Sequence, residues 1–391
     1  MSPNPVLGVF FHWLGGLASA SFYVPYRGVR RWSWETYWLV GGLFSWIIAP
    51  WFVGHLMTQD LLAVLCEAST STLFWAFFFG LLWGIGGLTF GLTMRFLGLS
   101  LGMAVALGLC AAFGTLMPPI FSGVFVHQVL GTSSGRVILL GIIVCLLGIA
   151  AAGLAGILKE RAMSPEQQKA AIEEFDLKKG LAVATLSGVM SACFAYGLAA
   201  GAPIKALTLK HGTRTLWQGL PVLVVVLVGG FTTNFLWCLA LNLRNRTGYQ
   251  YFTSNPKRYS QAAKETIVET AIDAPSREVV EHIPSARKNN RQDPVPMLAN
   301  YLFCSVAGTT WYFQFFFYTM GETQMGKYGF SSWTLHMASI IIFSSLWGIG
   351  LKEWKGAGAP AMRFLSLALV LLVGSTVIVG YGNFLAAAST R

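Results

Sequence analysis

The feature that most constrains this chain is a series of long apolar runs. A helix needs about 20 predominantly apolar residues to cross the hydrocarbon core of a bilayer. Counting such runs predicts ten transmembrane helices and an all-α polytopic membrane protein. The predicted spans are 6–26, 34–56, 72–94, 99–121, 135–157, 179–200, 216–242, 297–321, 328–350 and 363–387.

The composition supports a membrane protein. Of the 391 residues, 54% are hydrophobic and 11% are charged, whereas soluble domains carry about 25% charged residues. A net charge of +11 would suggest nucleic-acid binding in a soluble protein. Here the basic residues fall in the connections between spans, so we predict no nucleic-acid partner. The six cysteines lack CxxC spacing and lie mostly in apolar runs, which indicates neither a metal site nor a disulfide framework.

The placement of Lys and Arg predicts the orientation in the membrane. With the N-terminus outside, 21 of the 27 basic residues fall in cytoplasmic connections, as the positive-inside rule requires. We therefore expect both termini to lie in the periplasm. The first apolar run could be mistaken for a signal peptide. Residues 1–11 contain no Lys or Arg, so we interpret it as a retained helix.

Short patterns recur in the two halves of the chain. Gly16–Tyr23 is echoed by Gly188–Tyr196, and Gly80–Trp83 is echoed by Gly308–Trp311. Because each half would have five helices, an odd number, two such repeats must be inverted, as in many transporters. Chance recurrence in a glycine-rich membrane protein is the alternative explanation.

The predicted domains follow from this division. Residues 1–157 form an N-terminal five-helix repeat, 158–178 form a cytoplasmic connection, and 179–391 form a C-terminal five-helix repeat. The second repeat carries a polar cytoplasmic insertion at 243–296, which we expect to be flexible or partly helical.

Several longer motifs resemble the L-rhamnose–proton symporter family of the drug/metabolite transporter superfamily. They occur in both halves of the chain and are too unusual in composition for generic membrane helices. The motifs are His12 with Ser19 to Pro25; Trp32 to Thr36; Ser45, Trp46, Pro50 and Trp51; Trp83 to Gly86; Gly91 to Gly98; Gly114 to Leu116; Leu177 to Leu181; Gln314 to Tyr318; Ser332 to Met337; and Leu351 to Trp354.

This resemblance implies ten helices in two inverted repeats, and import of L-rhamnose with a proton across the inner membrane. Two regions depart from the family pattern: the 243–296 connection looks longer, and residues 201–242 match weakly. Another sugar or metabolite, carried in either direction, is therefore one alternative. A membrane receptor or scaffold that uses the 243–296 loop is another, and deleting that loop would distinguish a scaffold from a transporter.

A proton symporter needs an ionisable group inside the membrane. Glu35 is a carboxylate that lies near a helix start and in a family motif, so it is a candidate proton carrier. The alternative is an interfacial residue at a helix start, stabilised by the helix dipole and nearby arginines. His12 and His336 are further candidates for proton coupling and for sugar binding, since histidine titrates near pH 6.5. For both, a structural histidine is the alternative.

A sugar site needs aromatic platforms and hydrogen-bonding side chains. Estimated depth places His12, Gln314 and His336 on the periplasmic side of the bilayer centre, with Tyr23 towards the cytoplasm. Packing is the alternative role for Gln314, and an interfacial aromatic belt is the alternative for Trp34, Trp46 and Trp51. The predicted substrate-binding residues are His12, Tyr23, Trp38, Trp83, Asn234, Trp311, Gln314 and His336.

The chain carries no Walker A loop, zinc-spaced His/Cys cluster or nucleophile elbow. We therefore predict that it is not an enzyme, and that it uses no cofactor and no metal. The predicted partners are L-rhamnose or a related sugar, the proton and the lipid bilayer.

Overall fold

The computed structural model describes residues 3–97, 99–162, 176–255 and 294–388. Most of the predicted 158–178 connection and of the 243–296 insertion lies outside the described residues. Within those ranges, every regular element is helical.

Ten long helices match the predicted spans to within a few residues at most ends. They are α1 (Pro5–Ser21), α2 (Trp34–Met57), α3 (Thr70–Leu97), α4 (Leu99–Phe121), α5 (Ser133–Arg161), α6 (Leu177–Ala200), α7 (Leu220–Arg244), α8 (Met297–Thr323), α9 (Ser332–Gly350) and α10 (Gly358–Ala388).

Among the described residues, nine of these helices are long and apolar enough to cross a membrane. The exception is α8, which has 27 residues and contains Tyr, Thr, Asn, Gln and Glu side chains. The hydropathy of these helices therefore supports a multi-pass membrane protein. The helix with the lowest hydropathy, α8, packs against α1 and α2.

Polar contacts divide the bundle into two ends. At the Asn4 end, the Asn4 backbone N–H donates to Gln324 at 3.1 Å, and Lys205 pairs with Glu322 at 2.7 Å. At the Glu35 end, Arg27 pairs with Glu353 at 3.2 Å. Successive long helices run alternately between these ends, which is the arrangement expected of a polytopic bundle.

The main contacts between the two halves of the chain come in matching pairs. Helix α3 packs against α6 and α7, and α8 packs against α1 and α2. In the same way α4 packs against α6, and α9 packs against α1. The fifth helices of the two halves, α5 and α10, pack against each other.

Glycines allow the closest of these approaches. A Cβ added to Gly80 on α3 would collide with the carbonyl oxygen of Val226 on α7. A Cβ added to Gly308 on α8 would collide with the carbonyl oxygen of Gly41 on α2. Small residues at such positions let helix backbones touch in a membrane. These contacts bring the side chains of α2, α3, α7 and α8 together in the bundle centre.

Candidate functional site

A cluster of four side chains lies where α1, α8 and α9 meet, and we call it the histidine cluster: His12, Gln314, Tyr318 and His336. The two imidazoles are buried, with 0% of His12 and 1% of His336 exposed. The Tyr318 ring lies between them, with centroid distances of 5.4 Å to His12 and 5.3 Å to His336. The structure thus brings together three of the predicted site residues from three different helices.

The polar atoms of this cluster lack protein partners. Among the described residues, neither nitrogen of His12 or His336 accepts or donates a hydrogen bond, and Gln314 Nε2 is also unpaired. A neutral imidazole carries one donor and one acceptor. Leaving a buried polar group unsatisfied costs about 1–3 kcal/mol. Five such atoms on residues at the junction of three helices therefore point to a polar ligand or an exchangeable proton.

Two glycines make room for the histidine cluster. A Cβ on Gly15 would lie 2.8 Å from the Gln314 carbonyl oxygen and 3.5 Å from His336 Nδ1. A Cβ on Gly321 would lie 2.7 Å from His12 Nε2. Because real Cβ atoms essentially never approach this closely, the absence of side chains at these positions lets α1 meet α8 at the imidazoles.

A second group, the tryptophan cluster, consists of Trp38, Trp46, Trp83 and Trp311. Trp311 lies at its centre, with ring-centroid distances of 5.4 Å to Trp46 and 5.6 Å to Trp83. Trp38 lies 6.0 Å from Trp46. Helices α2, α3 and α8 supply these rings. The cluster is large and apolar, and each indole carries one N–H donor.

The Phe315 ring joins the two clusters. Its centroid lies 5.0 Å from Trp311, 5.6 Å from Trp83 and 6.0 Å from His336. The predicted aromatic platforms and the predicted histidines are therefore contiguous, although they come from both halves of the chain.

Asn234 and Tyr23 border the tryptophan cluster at Trp38. Trp38 Nε1 donates to Asn234 Oδ1 at 3.1 Å, and Asn234 Nδ2 donates to the Gly230 carbonyl of its own helix at 2.9 Å. The Tyr23 ring stacks on Trp38 at 6.4 Å and is 41% exposed. Asn234 thus holds the Trp38 ring in place.

Glu35 lies apart from the histidine cluster, in the first turn of α2. Its carboxylate accepts hydrogen bonds from Thr247 Oγ1 at 2.8 Å and from Asn245 Nδ2 at 3.1 Å. These two donors lie just beyond the end of α7. The side chain is 4% exposed, so Glu35 is a buried link between α2 and the end of α7.

A cavity of about 300 Å³ opens at the Asn4 end of the bundle, lined in part by Lys205 and Glu322. Glu322 follows Tyr318 by one helical turn on α8. The cavity therefore lies one helical turn from Tyr318, and the Lys205–Glu322 ion pair lies in its wall.

Sequence reasoning missed two residues of the site. Trp46 fitted an interfacial belt equally well, but it is only 3% exposed and contacts the other three indoles. Pro50 is a sequence feature that marks this region of α2, because it lies just after a π-helical turn, Phe44–Ile48, that contains Trp46. Tyr318 lay in a motif with no chemistry assigned to it, and nothing in the sequence indicated that it separates two histidines.

Comparisons with known proteins extend over nearly the whole chain. The sequence model of the L-rhamnose-proton symport protein (RhaT) family matches residues 1–248 and 290–386. The match includes residues 201–242 and leaves out most of the 243–296 connection.

Two named relatives have the same description. The chain is 35% identical over 378 residues to an L-rhamnose-proton symporter of Yersinia pestis (strain Pestoides F), covering 96% of this chain and 98% of the relative. It is 35% identical over 383 residues to an L-rhamnose-proton symporter of Salmonella gallinarum (strain 287/91 / NCTC 13346), covering 98% and 99%. The chain therefore belongs to the L-rhamnose–proton symport protein family.

Proposed function

We propose that this protein imports L-rhamnose with protons across the bacterial inner membrane. The observation that carries the proposal is the junction of the tryptophan and histidine clusters inside a bundle that belongs to this family over nearly its full length. One cluster offers apolar ring faces and the other offers unpaired polar atoms. A sugar and a proton need this combination of surfaces.

The sugar would lie against the tryptophan cluster. A deoxyhexose has apolar C–H surfaces, and the indoles of Trp38, Trp83 and Trp311 provide matching ring faces. His12, Gln314 and His336 would bind its hydroxyl groups, because their nitrogens otherwise lack partners. Asn234 and Tyr23 would act indirectly, by holding Trp38 in position.

The proton would bind at the histidine pair. Protonation of either ring adds a charge and converts its acceptor nitrogen to a donor. In a buried site, that change alters every polar contact with a bound sugar. Glu35 is the other candidate from the sequence. Its hydrogen bonds to Thr247 and Asn245 support the structural role instead.

Alternating access would come from two inverted five-helix repeats, residues 1–157 and 179–391. The paired packing of α3 on α7 and of α8 on α2 supports this symmetry. The sequence echoes have matching contacts. Gly16 packs against Ser339 on α9, and Gly188 packs against Leu109 on α4. In transporters built this way, the ligand lies near the midplane between the repeats.

The same proposal includes all ten helices as spans and places the Asn4 end in the periplasm. Arg27, Lys159 and Lys352 lie towards the Glu35 end, where most of the basic residues of the sequence are expected. The positive-inside rule then makes that end cytoplasmic, and both termini are periplasmic.

Uptake by proteoliposomes that contain the purified protein tests this function. We expect L-rhamnose to enter faster when the external pH is one unit below the internal pH, and a protonophore to remove the difference. Equal uptake with and without the gradient would contradict proton coupling. Uptake of a different sugar, with none of L-rhamnose, would instead support a superfamily relative of other specificity.

A further inference from the structure

A π-helical turn, Phe44–Ile48, interrupts α2 beside the tryptophan cluster. The backbone N–H of Ala49 donates to the carbonyl oxygen of Phe44, five residues earlier. Pro50 follows and lacks the N–H that an α-helix would pair with the Trp46 carbonyl. Single π-helical turns within α-helices occur frequently at functional sites. The side chains of this turn are therefore worth testing for a function.

Two adjacent residues of this turn carry unpaired polar atoms. Ser45 is 2% exposed and Trp46 is 3% exposed. In the part of the chain that the structure describes, Ser45 Oγ and Trp46 Nε1 have no hydrogen-bond partner. Buried hydroxyls and indole N–H groups in proteins usually have one. Two neighbouring unpaired polar atoms therefore indicate a ligand-binding position rather than imperfect packing.

Both residues line the same narrow cavity, which has a volume of about 10 Å³ and is shared with Trp38, Trp311 and Gly308. A cavity of about 10–15 Å³ holds one water molecule, so this cavity has room for a single water-sized group such as a hydroxyl. Gly308 leaves its side of the cavity without a side chain. The Trp46 indole is held by contacts with Trp38 and Trp311, so its N–H has a defined position.

We propose that Ser45 and Trp46 form a polar subsite that binds a hydroxyl group of the transported sugar and selects among sugars by the position of that hydroxyl. Ser45 Oγ can donate or accept a hydrogen bond, whereas Trp46 Nε1 only donates. Trp46 therefore requires a ligand oxygen as its acceptor. This inference rests on the proposed function, since it assigns the hydroxyl contacts of the same sugar.

Exchange of L-rhamnose across proteoliposome membranes without a gradient tests the subsite, because exchange separates sugar binding from proton coupling. Ser45→Ala and Trp46→Phe each remove one polar atom and keep most of the side-chain volume. We expect each variant to raise the KM for L-rhamnose about tenfold, the effect of one hydrogen bond. The maximal exchange rate should stay close to that of the unsubstituted protein.

Two matched variants control for packing. Trp13 also has a buried indole N–H with no hydrogen-bond partner among the described residues, but it does not line the cavity. Trp13→Phe removes this N–H. Ser375→Ala removes a buried hydroxyl on α10 that bonds its own helix. Both should leave the KM unchanged.

Monodeoxy analogues of L-rhamnose identify the hydroxyl that each residue binds. The analogue that lacks the hydroxyl bound by Ser45 should be a poor substrate of the unsubstituted protein. Its KM should be the same with and without Ser45→Ala, because the hydrogen bond that the substitution removes is already absent. Unchanged KM values for L-rhamnose in both variants would overturn the subsite alone. An equal rise in KM for every analogue would also overturn the subsite, because general damage to packing would explain it. Absence of saturable L-rhamnose exchange by the unsubstituted protein would overturn the proposed function and the subsite with it.

Discussion

His12→Gln and His336→Gln are each expected to abolish proton-driven accumulation of L-rhamnose while leaving exchange measurable. Glutamine can still hydrogen-bond to a sugar, but it cannot take up a proton. With one proton per sugar, a gradient of one pH unit supports an accumulation of about tenfold, because one pH unit corresponds to about 1.4 kcal/mol. The histidine variants should approach an accumulation ratio of one. Radiolabelled L-rhamnose in proteoliposomes measures the ratio.

Two controls accompany the histidine variants. His55→Gln changes an exposed histidine outside both clusters and should accumulate sugar normally. Glu35→Gln should also accumulate normally, since Glu35 links α2 to the end of α7 rather than contacting the histidine cluster. Full accumulation in both histidine variants, with its loss in Glu35→Gln, would assign the proton to Glu35.

Gly308→Val and Gly80→Val are expected to destabilise the bundle more than any other single glycine change proposed for this chain. In each case the new Cβ would collide with a backbone carbonyl, of Gly41 or of Val226, and backbone cannot move aside as a flexible side chain can. Overpacking of this kind costs about 1–3 kcal/mol or more. We expect a lower Tm and a loss of monodisperse protein in detergent.

Gly87→Ala and Gly374→Ala are the matched glycine controls. A Cβ at either position has no heavy atom within 4 Å, apart from its own neighbouring backbone. Alanine is also the better helix former, so both variants should melt at or above the Tm of the unsubstituted protein. A Gly308→Val protein as stable as Gly87→Ala would mean that α8 and α2 do not touch at Gly41.

The fold was largely predictable because apolar run length is a local property of the chain. The long helices begin and end near the predicted positions. The sequence also predicts a span at the least apolar of them, α8, because aromatic side chains lengthen its apolar run. Hydropathy alone would have left it out, and it carries Gln314, Tyr318 and Trp311. Because α8 contributes polar side chains to the candidate site, its hydropathy is lower than that of the other helices.

The candidate site was only partly predictable, because depth along a helix does not indicate which way a side chain faces. Depth suggested that His12 and His336 lie at the same level, and the structure places both against Tyr318. Asn234 is also a predicted substrate-binding residue, but its amide is occupied by Trp38 and Gly230. Trp46 shows the same limit, since only the packing of α2 distinguishes a central indole from an interfacial one.

The coupling of sugar to proton is the central claim, and its most direct test measures the proton. Proteoliposomes with a trapped pH-sensitive dye, at equal internal and external pH and with the membrane potential clamped, receive external L-rhamnose. The proposed symport predicts acidification of the lumen that saturates with L-rhamnose and is absent for His12→Gln. L-rhamnose entry without any change in luminal pH would contradict it.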